Sequence, residues 1–206
     1  FARVPTGFET CTFCLMLASR GAVYHTRKTA GEFKHFHRRC DCKVVPSFED
    51  DADAELVEGV RPKELRERYR AIKQIDSMEG LTDSDRQELA ERALRVEVES
   101  IAGKKLGSVK YVKSRDSLEG HEKAGIDNLL LNGFDIETVK EDPHAPANLD
   151  ISMNGELWEM KNLTNRASSV SNQVKRARIK WFKLGLSSPS RCVFTNEGNE
   201  DGFDET

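Results

Sequence analysis

No stretch of this 206-residue chain approaches the roughly 20 consecutive apolar residues that a membrane-spanning helix needs. No basic-then-apolar leader pattern opens it, and no membrane partner is expected, although a targeting segment could have been lost with a missing part. It also lacks an initiating Met: position 1 is Phe1, and the chain is expected to be a piece of something longer. No internal repeat and no low-complexity segment is present, which excludes a solenoid or a disordered linker protein as the main architecture. An overall charge imbalance is missing too. Lys plus Arg number 32 against 35 Asp plus Glu, for a net charge of -3, but that near-balance hides strong local segregation. Cysteine is scarce and odd in number, with five residues at 11, 14, 40, 42 and 192. An odd count with Cys-x-x-Cys spacing argues against a disulfide framework and for metal binding in a reducing compartment.

What is present begins with that cysteine cluster. Cys11-Thr-Phe-Cys14 and His37-Arg-Arg-Cys40-Asp-Cys42 are separated by 25 residues between Cys14 and Cys40, a spacing that suits a small zinc module closed at both ends. Cys11, Cys14, His37, Cys40 and Cys42 offer five ligands for four tetrahedral positions, so an all-cysteine set and a three-cysteine-plus-histidine set both fit. The role is structural, because no ligand position looks vacant. Residues 1–48 are basic, and Val44, Val45 and Phe48 are expected to form a closing strand. Residues 49–61 carry six acids and read as a linker. Helical spacing follows: Pro62 stands where a first helical turn tolerates proline, with Leu65, Tyr69 and Ile72 behind it. Thr82 and Asp85 then open a second helix that Gly103 or Gly107 would end. Residues 49–109 are thus an acidic linker with helices.

Residues 110–206 read as one compact α+β or α/β domain. A helix is expected from Ser117 to Asn132, stopped by Gly133, then a strand from Phe134 to Val139. Asn154-Gly155 between two alternating runs is a strong hairpin signal. A helix from about Ala167 to Leu184 and a short strand at Cys192, Val193 and Phe194 complete the order: helix, three strands, helix, strand.

The hairpin carries the chemistry. With Asn154 and Gly155 as turn residues, Met153 pairs with Glu156, Ser152 with Leu157 and Asp150 with Glu159. Alternation puts Leu157, Glu159 and Lys161 on one face. Facing carboxylates repel, a local cost that a divalent cation would remove. Asp150 and Glu159 are therefore candidate ligands for Mg2+, Mn2+ or Zn2+, with the Met160 carbonyl as a further one. Lys161 would orient a water or offset charge developing on a phosphate. Glu122, on the preceding helix, is the fourth candidate, with Glu119 its rival. The later helix holds Gln173 and then Lys175, Arg176, Arg178, Lys180 and Lys183 with no acid up to Leu184, as expected of a helix facing nucleic-acid phosphates.

The Asp150 … Glu159-Met-Lys161 pattern in this element order resembles the PD-(D/E)xK nuclease superfamily. More narrowly, LDISMNGELWEMKNL is similar to the C-terminal tRNase toxin domains of contact-dependent growth inhibition (CdiA-type) proteins, over roughly residues 110–195. Leu149 replaces the usual proline, which has no chemical role. The resemblance implies metal-dependent cleavage of a phosphodiester, with Glu122, Asp150 and Glu159 as metal-binding acids and Lys161 as the motif lysine. It also implies an α-β-β-β-α-β core, a tRNA or DNA substrate, and a cognate immunity protein. The stretch RVPTGFETCTFCLMLASRGAVYHTRKTAG with HFHRRCDCKVVP is similar to the end of Mu-F-like phage minor head proteins. That second resemblance implies a portal-associated capsid protein upstream, phage portal and capsid partners, and a place in the virion or the bacterial cytoplasm. The expected architecture is a zinc-stapled module, a helical linker and a nuclease core. Three functions follow: a toxin-like ribonuclease acting on tRNA, a DNA endonuclease of the same fold, or a structural head protein without activity.

Overall fold

The computed structural model describes residues 1–6, 10–32, 42–96, 98–164, 166, 168–186 and 191–196. The chain divides into two compact units, one of Phe1–Ser77 with Asp83–Lys104 and the other of Met78–Thr82 with Lys105–Thr206. Both are mixed α and β. Among the described residues no helix is long and apolar enough to cross a membrane.

The first unit starts with a two-stranded antiparallel ribbon, β1 (Ala2–Pro5) on β2 (Cys42–Val45), with Pro5 opposite Cys42. Phe48 does not extend β2. Pro46, which lacks an amide proton, follows its last residue, and Phe48 is 93% exposed. Arg3 is buried within the ribbon, and its guanidinium donates to the Ala30, Gly31 and Cys42 carbonyls at 3.2, 2.9 and 3.4 Å. A cation buried this deeply is tolerated because carbonyl oxygens replace its water. Helix α1 (Thr12–Ala18) follows the first cysteine, and Cys11 caps it: its sulfur accepts from the Cys14 N–H at 3.3 Å. Helix α2 (Pro62–Asp76) begins at the proline as expected. Helix α3 (Asp83–Arg95) and the short α4 (Val98–Ile101) stand where one longer helix was expected, and the chain turns at Gly103 with φ +67°. The Arg68 guanidinium donates to the Ala93, Leu94 and Val96 carbonyls at 3.0, 2.8 and 3.0 Å, satisfying the open end of α3.

The second unit is a five-stranded sheet. Its strands are β3 (Val109–Lys110), β4 (Ile136–Thr138), β5 (Ile151–Met153), β6 (Glu156–Asn162) and β7 (Cys192–Thr195), in that spatial order. The two outer pairings are parallel and the two inner ones antiparallel. The hairpin is as the sequence predicts: Met153 opposite Glu156, Ser152 opposite Leu157 and Ile151 opposite Trp158, closed by Asn154 at φ 54° and Gly155 at φ 76°. Both turn residues are left-handed, the conformation a two-residue hairpin turn of this class requires. Strand β3 was not anticipated, because two residues carry no alternation to read.

Helix α5 (Gly120–Leu131) starts three residues later than expected. Ser114 accepts from the Asp116 N–H at 3.3 Å, and residues Arg115–Ser117 form a separate 3-10 turn. The helix lies on β6 and β7 through Gly125, whose missing side chain leaves room for Met160 and Thr195. Arg115 and Asp127 form a buried two-pronged ion pair at 2.9 and 3.0 Å, with the Tyr111 hydroxyl accepting from the same guanidinium at 3.0 Å. Helix α6 (Ser169–Lys183) buries Ser169, Ala177 and Trp181. Its other apolar residues do not make a core face: Val170, Val174 and Ile179 are exposed.

Candidate active site on the hairpin

The site is built where β5, β6 and α6 meet. Asp150 stands just ahead of β5, held in the pairing by its N–H to the Trp158 carbonyl at 3.1 Å. Alternation places Ile151, Met153, Trp158 and Met160 on one face and Asp150, Ser152, Leu157, Glu159 and Lys161 on the other. Met160 meets α5 at Gly125, so the α5 side of the sheet is the apolar one. Leu149, just before Asp150, is buried.

Glu159 is the centre of the site. It has no exposed surface at all. One carboxylate oxygen, Oε1, accepts from the ammonium groups of both Lys161 and Lys180, the latter at 2.5 Å. The other, Oε2, is buried and has no hydrogen-bond partner. Lys161 Nζ also reaches the Met160 carbonyl at 3.2 Å. Asp150 accepts from the Met160 N–H at 2.6 Å through Oδ2. Burial pushes the Asp150 carboxyl up to about 6; the Met160 N–H and Lys180 work against that rise, while the charges of Glu159 and Glu122 add to it. Cys192, opposite Glu159 in the β6–β7 pairing, has its thiol pushed up by burial and by the Glu159 charge.

Asp150, Glu159 and Lys161 thus come together as the register predicts, with Lys180 added. Glu122 is engaged elsewhere: its carboxylate accepts from the Glu119 N–H at 2.8 Å and closes the first turn of α5, while its charge is still felt at Asp150. Among the described residues no group of three or more His, Cys, Asp or Glu is placed to hold a metal ion. Two acids and an unpartnered buried oxygen are nevertheless a fitting donor set for a divalent cation, which would give Oε2 the partner it lacks. For the cysteine module, Cys11, Cys14 and Cys42 are placed at the start of α1 and of β2, whereas His37 and Cys40 lie outside the described residues.

The basic helix splits by position. Lys175, Arg176 and Arg178 are exposed. Gln173 turns inward and donates to the Asn162 carbonyl at 3.2 Å, with its own side-chain oxygen buried and unpartnered. Lys180 does not belong with the exposed group. The signal was helical spacing: Gln173, Ala177 and Lys180 fall at i, i+4 and i+7, on the side that buries Ala177.

The first 72 residues match the VG15 protein family. The Gene 15 protein of Mycobacterium phage L5 is 33% identical over a matched part that is 24% of this chain and 29% of that protein. The Gene 15 protein of Mycobacterium phage D29 is 32% identical, with 24% of this chain and 28% of that protein matched. The chain spans less than a third of the length of these curated relatives. The similarity ties the first third of the chain to bacteriophage proteins. No solved structure matches the chain.

Proposed function

We propose that the second unit is a divalent-cation-dependent phosphodiesterase of the PD-(D/E)xK kind, a toxin-like ribonuclease acting on tRNA, carried behind the end of a phage minor head protein. The carrying observation is Glu159: a fully buried carboxylate with one oxygen unpartnered, next to Asp150 and in contact with the motif lysine. Glu159 Oε2 and Asp150 would hold Mg2+, Mn2+ or Zn2+, with the Met160 carbonyl nearby. A bound cation supplies Lewis acidity to the phosphodiester and its attacking water. Lys161 holds Glu159 in place and offers a positive charge to the phosphate. Lys175, Arg176 and Arg178 attract the nucleic-acid backbone, so binding should weaken with salt. Four of Cys11, Cys14, His37, Cys40 and Cys42 supply a structural zinc site. A virion or host-cytoplasm setting, portal or capsid partners and an immunity protein go with this reading.

The test is to incubate the chain with total tRNA and with plasmid DNA, in the presence of Mg2+ or Mn2+ and with EDTA. Cleavage of tRNA only with the divalent ion, lost by about 100-fold or more in Asp150→Asn and Lys161→Ala, supports the reading. Cleavage of the plasmid alone would make it a DNA endonuclease on the same scaffold. The phage similarity over residues 1–72 favours a second reading, a non-enzymatic head component, and absence of any divalent-dependent cleavage would select it.

A further inference from the structure

We propose that Lys180 is a built-in counter-ion that occupies Glu159 in place of the divalent cation, so that loading the cation requires Lys180 to let go and frees its ammonium for the substrate phosphate. The proposal rests on the cation-dependent reading above and adds a regulation to it. A carboxylate with no exposed surface is costly unless compensated, and here two ammonium groups share one oxygen. The two lysines are not equivalent. Lys161 is two residues from Glu159 on the same strand face, 19% exposed, and it has a second acceptor in the Met160 carbonyl. Lys180 arrives from α6, is 35% exposed, and reaches Glu159 with its chain end alone. Lys161 is anchored; Lys180 has a way out to solvent along a flexible stem.

A cation beside Asp150 and Glu159 meets that positive charge at close range. The two cannot share Glu159 without strong repulsion in a site this buried. Displacement of Lys180 relieves it, and an approaching phosphodiester stabilises the released ammonium. Cation and substrate therefore favour each other's binding, since coupling between sites is reciprocal.

The experiment is titration of Mn2+ into the full chain by calorimetry, with wild type, Lys180→Met, Lys180→Gln and Lys180→Arg, and cleavage measured at saturating Mn2+. Lys180→Met keeps most of the apolar stem, Lys180→Gln keeps a hydrogen bond to Glu159, and Lys180→Arg keeps the charge. The expected result is Mn2+ binding about tenfold tighter in the Met and Gln variants and within about twofold of wild type in the Arg variant, with slower cleavage in the first two despite full loading. Wild type binding Mn2+ while the Met and Gln variants bind it equally or more weakly overturns the counter-ion role and leaves the cation site standing. No Mn2+ binding in any of the four overturns both.

Discussion

Asp150 sits where burial and a second carboxylate both oppose its ionisation, and its carboxyl is raised to about 6. A raised acid holds its proton more tightly folded than unfolded. Its contribution therefore favours the folded state at low pH, declines as pH rises from about 4 towards 6, and becomes a fixed cost above that window. Asp150→Asn keeps an acceptor for the Met160 N–H but cannot ionise. In EDTA the variant should match wild type near pH 4 and exceed it by on the order of 2–3 kcal/mol above pH 6.5. Thermal melts across pH 4–8 read this directly; coincident curves at every pH would refute it. With Mn2+ added the ranking should reverse, because only the wild type gains cation binding. Asp150, Glu159 and Lys161 were legible in the sequence for a local reason. An Asn-Gly turn sets the register, and alternation then fixes the faces. From sequence Lys180 looks like one more phosphate contact, because charge in a run is visible, while the side of the helix that turns inward is set by packing.

The elements show the same divide between local and tertiary information. The turn, the helix order and the β5–β6 pairing come from residues close in sequence. The parallel partners β3 and β7 sit at the sheet's two edges, and β3 is too short to announce itself. Two glycines allow the local and packed contributions to be separated by experiment. Gly155, at φ 76°, has open space where a side chain would go, so Gly155→Ala should cost only the backbone strain, about 1 kcal/mol. Gly125 has ordinary helical geometry but faces Met160 and Thr195, so Gly125→Val should push α5 off β6 and cost about 1–3 kcal/mol. Urea unfolding gives both values. The Gly125 change should also slow cleavage, because Met160 is flanked by Glu159 and Lys161, while the Gly155 change should alter stability alone. Equal effects of both on activity would mean that helix packing does not position the site.

At the scale of the whole molecule the chain joins a phage-like first third to a unit for which we propose hydrolytic chemistry, and two kinds of metal dependence should be separable. Cys11 caps α1 and Cys14 lies in its first turn, already arranged so that the Cys14 N–H donates to the Cys11 sulfur. Cys42 begins β2, the strand that closes the ribbon against β1. A zinc ion tying α1 to β2 would close a long loop, and its binding energy would be folding energy of the first unit. The proposed catalytic cation, held by two carboxylates, would exchange freely. The chain purified under reducing conditions should thus retain about one equivalent of zinc through dialysis, while Mg2+ or Mn2+ is lost. The double variant Cys11→Ser/Cys14→Ser, which leaves only three of the five candidate ligands, should abolish zinc retention and lower the melting of the first unit, whereas Cys192→Ser, on β7 in the second unit, should leave zinc content unchanged. Elemental analysis of the dialysed protein decides it. Zinc at well below one equivalent in the wild type, or retention that survives the double variant, would remove the staple and leave the cysteines as packing residues.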